Sequence, residues 1–244
     1  MKRFATTLLA LALLCGCLLV PAGAAAEPAG AAGLKFKQDG TFKIIQVADL
    51  QESYMSSTIS NDFLYDLAKN EAPDLFVLTG DNMSSGGSNW GIPFISRLWV
   101  RASIDGYMRA FDRIYRDFGI PVTMVYGNHD AEIGPDVISK ADMFAFYARH
   151  ESFIGDDVYI PAADEGTRDA QGQHYGTHNL LVYDNAGTTA KFNIWMFDSG
   201  SYDERLQGDG YYSGVQPQQV DWFKDVYAST GNLPSLAFQH IIVP

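Results

Sequence analysis

Three short apolar runs set the architecture: Lys43-Ile44-Ile45-Gln46-Val47-Ala48, Asp74-Leu75-Phe76-Val77-Leu78-Thr79 and Val122-Thr123-Met124-Val125-Tyr126. Each stops on a polar residue able to hold a cation, at Asp49, at Gly80-Asp81 and at Gly127-Asn128-His129-Asp130. Near-continuous apolar strands of this length belong to sheets buried on both faces, which are mostly parallel. Helical spacing fills the gaps between them. Ile59, Phe63, Leu64 and Leu67 share one face over about 58–70. Ile95, Leu98, Ile104, Met108, Phe111 and Ile114 do so over about 90–118, which ends at Gly119 with Pro121 beyond. Strand–helix–strand–helix–strand predicts a parallel sheet with right-handed crossovers, an α/β fold.

The second half has another texture. A helix is expected over about 139–149, then strands over Tyr175–Tyr183 and Phe192–Phe197 around an Asp184-Asn185-Ala186-Gly187 turn. Pro217 opens a helix over about 217–229, and Ser235–Gln239 forms a last strand that reaches His240.

The N-terminus reads as an export signal over residues 1–26. Lys2 and Arg3 precede the apolar run Phe4–Val20, and A-x-A sites such as Ala24–Ala26 precede Glu27. A lipid anchor at Cys17 is the alternative, disfavoured by the apolar Leu18-Leu19-Val20. No membrane span is expected after cleavage. Residues 27–40, rich in Ala, Gly and Pro, read as a flexible leader, and 41–244 as one domain. Localisation is expected to be secreted or in the cell envelope. Both cysteines, Cys15 and Cys17, fall within the signal, so the mature chain would have neither disulfides nor thiolate chemistry. Removing Lys2 and Arg3 from the 17 basic residues leaves 15 against 29 acidic ones, a net charge of −14. A surface so acidic repels a phosphate backbone, so a nucleic-acid polymer is not expected as the main partner.

Ligands of open α/β sheets bind outside the carboxyl ends of the strands. Four expected strands deliver Asp49, Asp81, Asn128 and His240 there, spread over some 190 residues of sequence. Singly, each has an ordinary reading. Asp49 could cap a helix, the Gly-Asp and Gly-Asn pairs could be turns, and His240 could be a core histidine. Together they make an oxygen- and nitrogen-donor set suited to Mn, Fe, Zn or Mg. A carboxylate between two such ions can bridge them, and the pair can activate water for phosphoryl displacement.

Asp49-Leu50-Gln51, Gly80-Asp81-Asn82, Gly127-Asn128-His129-Asp130 and His240 resemble the successive blocks of calcineurin-like metallophosphoesterases. The resemblance is nearest the branch related to purple acid phosphatases and the yeast dosage-dependent cell-cycle regulator phosphatase. Phe197-Asp198-Ser199-Gly200, Gly210-Tyr211-Tyr212 and Gln216–Phe223 are also similar to that branch. It implies a β-sandwich flanked by helices, and hydrolysis of phosphate esters by two metal ions with a metal-bound hydroxide as nucleophile. Asp49 would ligate the first metal, Asp81 would bridge, and Asn128 and His240 would ligate the second. His129 would face the substrate phosphate, with Asp130 holding its ring.

Two departures bear on this. The first block usually reads Asp-x-His, whereas Gln51 stands third here, a weaker neutral donor that could alter the first metal site. The last block, Gly-His-x-His, does not occur before Pro244, so the expectation is a C-terminally truncated domain with an exposed sheet edge. A catalytically impaired or non-catalytic fragment that binds metal or a phosphorylated ligand is the competing reading. Of the other histidines, His150 reads as a helix-end dipole contact, and His174 and His178 as structural or exposed; Trp90 and Trp195 read as core or rim aromatics. Substrate identity, with selectivity placed in loops about 83–92 and 155–175, carries no signature.

Overall fold

The computed structural model describes residues 33–53, 58–156, 176–202 and 212–242. The expected signal over 1–26, most of the 155–175 loop, His174 and the Gly210-Tyr211 pair lie outside the described residues.

Strands β1 (Ile44–Val47), β2 (Leu75–Thr79) and β3 (Val122–Val125) form one parallel sheet in that order. Helix α1 (Thr58–Glu71) joins the first two, and α2 (Pro93–Phe118) joins β2 to β3. A short helix α3 (Lys140–Tyr147) follows, capped by the Ser139 side chain, which accepts from the Asp142 N–H. The second sheet is mixed: β4 (His178–Tyr183) runs antiparallel to β5 (Ala190–Met196), and β6 (Ser235–Phe238) lies parallel on the other side of β5. Helix α4 (Pro217–Ser229) precedes β6 and opens with the expected proline. The expected elements are thus all present, to within a few residues at each end.

Period-two alternation in the central strand holds the layers together. Phe76 and Leu78 point to the helical layer, into a core with Ile104, Met108, Phe111 and Ile114 of α2. Leu75 and Val77 point the other way, into a core with Val182, Ile194, Met196 and Phe238 of the second sheet. All five residues of β2 are buried. Each such aliphatic side chain contributes about 1.5–3 kcal/mol on burial. Between the sheets, Thr123 Oγ1 meets His178 Nε2 at 2.8 Å, while His178 Nδ1 donates to Gly176 O at 2.9 Å. Burial pushes the His178 ring down to about 4, so it stays neutral and accepts from Thr123. Trp195 closes the outer side against Phe223, with ring centroids 4.7 Å apart. The result is a two-sheet sandwich flanked by helices.

Two details differ from expectation, and Trp90 falls at the rim. Helix α1 buries Leu64 and Ala68, while Ile59 and Phe63 are 82% and 62% exposed. Adjacent i,i+4 rows lie about 100° apart on a helix, so spacing alone does not choose between them. Trp90 is exposed and stacks on Trp99. His150 sits between two carboxylates of α2, with Nδ1 2.7 Å from Asp112 and Nε2 3.3 Å from Asp105, so side chains and not a helix dipole hold it. No helix among the described residues is long and apolar enough to cross a membrane.

Candidate metal centre

The carboxyl ends of β1, β2 and β3 lie side by side, and the register explains why. Asp49 N–H donates to Gly80 O (3.1 Å), Gln51 N–H to Asp81 O (2.8 Å) and Glu52 N–H to Asn82 O (3.0 Å), continuing the β1–β2 ladder past its strands. Asp49, Gln51 and Asp81 all adopt positive φ, at 57°, 45° and 50°. Non-glycine residues in this region cost free energy, and such positions cluster at functional sites.

Two glycines let these ends converge. A Cβ on Gly80 would stand 2.7 Å from Gly127 N and 2.8 Å from His240 Cβ. A Cβ on Gly127 would stand 2.2 Å from Asp81 Oδ1. The Gly-Asp and Gly-Asn pairs are therefore packing requirements. They bring β2 and β3 into backbone contact and let His240, after β6, pack its side chain against Gly80.

The side chains of Asp49, Asp81, Asn128 and His240 come together there. Asp49, Asp81 and His240 each offer one atom within 4.8 Å of the others. Asp81 is buried, Asp49 is exposed, and His240 lies between. His240 Nδ1 stands 3.0 Å from Thr79 O, which only accepts, so Nδ1 carries the proton. Its Nε2 lone pair then faces Asn128 Oδ1 at 3.1 Å and Asp81 Oδ2 at 3.4 Å. Three acceptors aimed at one another repel unless a proton or a cation sits among them. This donor set, two carboxylates with an amide oxygen and an imidazole, fits Mn, Fe, Zn or Mg. Gln51 is exposed, and the bond placed for it is the backbone one to Asp81.

Asp81 Oδ1 accepts from His129 N–H at 2.9 Å, leaving Oδ2 toward His240 and, at 3.9 Å, His129 Nε2. The His129 ring is half-buried, and its Nδ1 meets Glu132 Oε1 at 2.5 Å. That corrects the ring partner expected from sequence. Asp130 is fully buried and turned inward, accepting from Gly127 N–H (2.6 Å) and Met83 N–H (2.9 Å). Burial pushes its carboxyl up to about 7, against those two N–H bonds and with the charge of Asp81. Asp130 thus braces the loop beneath His129 and does not touch its ring. Glu132 was missed by sequence reasoning, though its place three residues after His129 in a turn was a usable signal. Clefts of about 460 and 520 Å³ lie elsewhere, the first against Asp74, Gly119 and Pro121 at the opposite strand ends, so they are not where this chemistry converges.

Residues 42–244 match the family model described as Calcineurin-like phosphoesterase. Among curated proteins, the chain is similar to Probable inactive purple acid phosphatase 28 of Arabidopsis thaliana, 26% identical over 236 residues, covering 85% of this chain and 55% of that protein. It is similar also to Probable inactive purple acid phosphatase 14 of the same plant, 26% identical over 244 residues, covering 86% and 56%. The chain spans about half the length of these relatives. Among solved structures, a dimetal phosphatase from Danio rerio aligns with TM-score 0.49 at 15% identity, over 83% of this chain and 70% of that one.

Proposed function

The chain belongs to the calcineurin-like phosphoesterase family, and from that premise we propose that it hydrolyses phosphate esters with two metal ions held at the ends of β1, β2, β3 and β6. The observation that carries this reading is the convergence of His240 Nε2, Asn128 Oδ1 and Asp81 Oδ2, within 3.1 and 3.4 Å of the imidazole nitrogen.

In this reading Asp49 would hold the first ion, with Gln51 as a weak additional donor. Asp81 would serve both, and Asn128 and His240 would hold the second. When bound, the ions supply Lewis acidity toward a phosphoryl oxygen and lower the pKa of water. The protein's own part is orientation and proton handling. Thr79 O fixes the His240 tautomer, and Glu132 fixes the His129 ring. His129 Nε2 then points toward the centre, where it stabilises charge on the phosphate or protonates the leaving oxygen. Asp130 supports this by accepting from Gly127 N–H of its own loop and Met83 N–H of the loop after β2, tying the two together. Nucleotides, phosphoproteins, phospholipids and sugar phosphates all carry the group this geometry suits. The export signal read at residues 1–26 places the activity outside the cytoplasm as part of the same proposal.

The test is turnover of p-nitrophenyl phosphate and bis(p-nitrophenyl) phosphate by protein reconstituted with Mn, Fe, Zn or Mg. Wild type is expected to turn over one of them, and Asp81→Ala and Asn128→Ala to be inactive. Unchanged turnover in either variant overturns the assignment.

A second reading is a protein that binds metal or a phosphorylated ligand without turnover. It is favoured by Gln51 in place of a stronger donor and by relatives that carry the word inactive in their names. Stoichiometric metal binding with no hydrolysis of either ester would establish it.

A further inference from the structure

The second sheet contributes one ligand, His240, yet a second segment of it grips the same corner of the site. The loop after β5, Asp198-Ser199-Gly200-Ser201-Tyr202, makes three bonds to the ligand residues or their neighbours. Asn128 Nδ2 donates to the Tyr202 hydroxyl at 2.9 Å, and Ser201 Oγ donates to Asn128 O at 3.3 Å. Ile241 N–H, directly after His240, donates to Ser199 Oγ at 2.8 Å. We propose that this loop is the positioning frame of the second metal position, and that the Tyr202 hydroxyl, by accepting from Nδ2, holds the Asn128 amide with Oδ1 toward the metal. The proposal rests on the dimetal reading above.

An asparagine can ligate a cation only through Oδ1, and its two ends are almost the same shape. The Tyr202 hydroxyl, which can accept as well as donate, ties back the Nδ2 end that a cation has no use for. With the Tyr202 oxygen taking a proton from Nδ2, Oδ1 is left facing His240 Nε2 and Asp81 Oδ2. The reverse orientation would point two N–H groups at a cation.

The loop is stiff enough to act as a frame. Asp198 is fully buried, its carboxylate paired with Lys140 Nζ at the start of α3 and accepting from Gly200 N–H at 2.9 Å. Its backbone is held on both sides. Asp198 N–H donates to Thr177 Oγ1 (3.0 Å), and the buried Gln219 amide of α4 donates to Asp198 O (2.8 Å) and Thr177 Oγ1 (2.7 Å). Gly200 has φ 76°, and a Cβ there would stand 2.8 Å from Ser213 Oγ. Tyr202 itself stacks on Tyr212 with centroids 5.3 Å apart, which holds the ring while its hydroxyl reaches Asn128. The Phe197–Gly200 motif and its Gln219 partner thereby gain a physical role: they deliver Tyr202 and Ser199 to the ligands.

The experiment is a Mn²⁺ and Zn²⁺ binding titration on the full chain, wild type, Tyr202→Phe, Asn128→Asp and the double variant, with melting temperature measured without metal. Tyr202→Phe keeps the ring and its stacking and removes only the hydroxyl. It is expected to weaken one of two metal sites by about 10-fold or more, with an unchanged metal-free melting temperature. In the Asn128→Asp background the same change is expected to cost less than about 2-fold, because a carboxylate presents an oxygen either way round. Wild-type affinities in Tyr202→Phe overturn this proposal and leave the dimetal reading standing. An equal penalty in both backgrounds also overturns it, since the hydroxyl would then act otherwise than through the amide. A wild type that binds neither ion overturns the dimetal reading itself, and this proposal with it.

Discussion

The Nδ1 atom of His129 lies 2.5 Å from the Glu132 carboxylate, although the adjacent Asp130 is the acid that the motif itself supplies. Two acids one and three residues on have divided the work. Asp130 holds the loop's backbone from inside, and Glu132 holds the ring from the solvent side.

Replacing Glu132 by alanine is therefore expected to lower turnover by about 10- to 100-fold, the usual effect of losing a partner that orients a functional imidazole. Metal content should stay at the wild-type level, because the bond Glu132 makes is to the His129 ring and not to Asp49, Asp81, Asn128 or His240. Parallel kinetics and elemental analysis decide it. A loss of metal in this variant would mean that the Glu132 bond shapes the whole loop and not the ring alone.

Gly127→Ala is expected to fail structurally. Its Cβ would overlap Asp81 Oδ1 at 2.2 Å, a carboxylate oxygen held by the His129 N–H, and the backbone Asp81 N at 2.3 Å. The carboxylate could rotate only by giving up its bond, and the backbone nitrogen cannot step aside, so the strand ends must separate. Forced overpacking in a tight site costs about 1–3 kcal/mol or more, and metal affinity should fall with it. Denaturant titration measures the first and metal binding the second.

Much of this could be read from the sequence, and the reason is local. Leu75–Thr79 is an unbroken apolar stretch between Pro73 and Gly80, so β2 and the position of Asp81 at its end needed no tertiary information. Pro217 marked the start of α4 in the same way. What could not be read depends on distance in space. Tyr202 meets Asn128 across 74 residues, Lys140 meets Asp198 across 58, and the partner of His129 was a matter of which way a turn folds. Ile59 and Phe63 share a helical face with Leu64 yet stay exposed, because a helical repeat fixes rows of side chains and leaves open which row faces the core.

Stability should depend on pH through His150. Burial opposes its charge, but the hydrogen bonds and charges of Asp112 and Asp105 outweigh this and raise its pKa above the usual histidine value. Burial likewise works against the Asp112 charge, but bonds from His150 and Ser152 outweigh it and lower that carboxyl. A raised histidine stabilises fully below its unfolded value and loses this as pH rises through the folded value. A depressed aspartate stabilises above its unfolded value and loses this as pH falls through the folded one. The pair is therefore worth most between about pH 4 and 6.5. His150→Ala should cost about 2 kcal/mol near pH 5.5, on the scale of a charge-assisted hydrogen bond, and distinctly less at pH 9. Urea titrations of both proteins across this range check it; a pH-independent difference would assign the loss to packing.

Gln51 offers a gain-of-function test that bears on the choice between turnover and binding. The residue sits two after Asp49 on the β1–β2 ladder, its backbone fixed by the bond to Asp81 O at 2.8 Å, so a replacement side chain starts from a defined place. Its φ of 45° lies in the left-handed region, which histidine tolerates better than most residues, so Gln51→His should not disturb the chain. Imidazole is a stronger donor than an amide oxygen for Zn, Fe and Mn. Gln51→His is therefore expected to tighten the metal site nearest Asp49 by about 10-fold, equivalent to about 1.4 kcal/mol, while Gln51→Ala weakens it or leaves it unchanged. If turnover rises together with occupancy, the wild-type residue is what limits an otherwise competent centre. If occupancy rises and turnover stays absent, the limit lies beyond the first metal position, and the binding role becomes the better account of the protein.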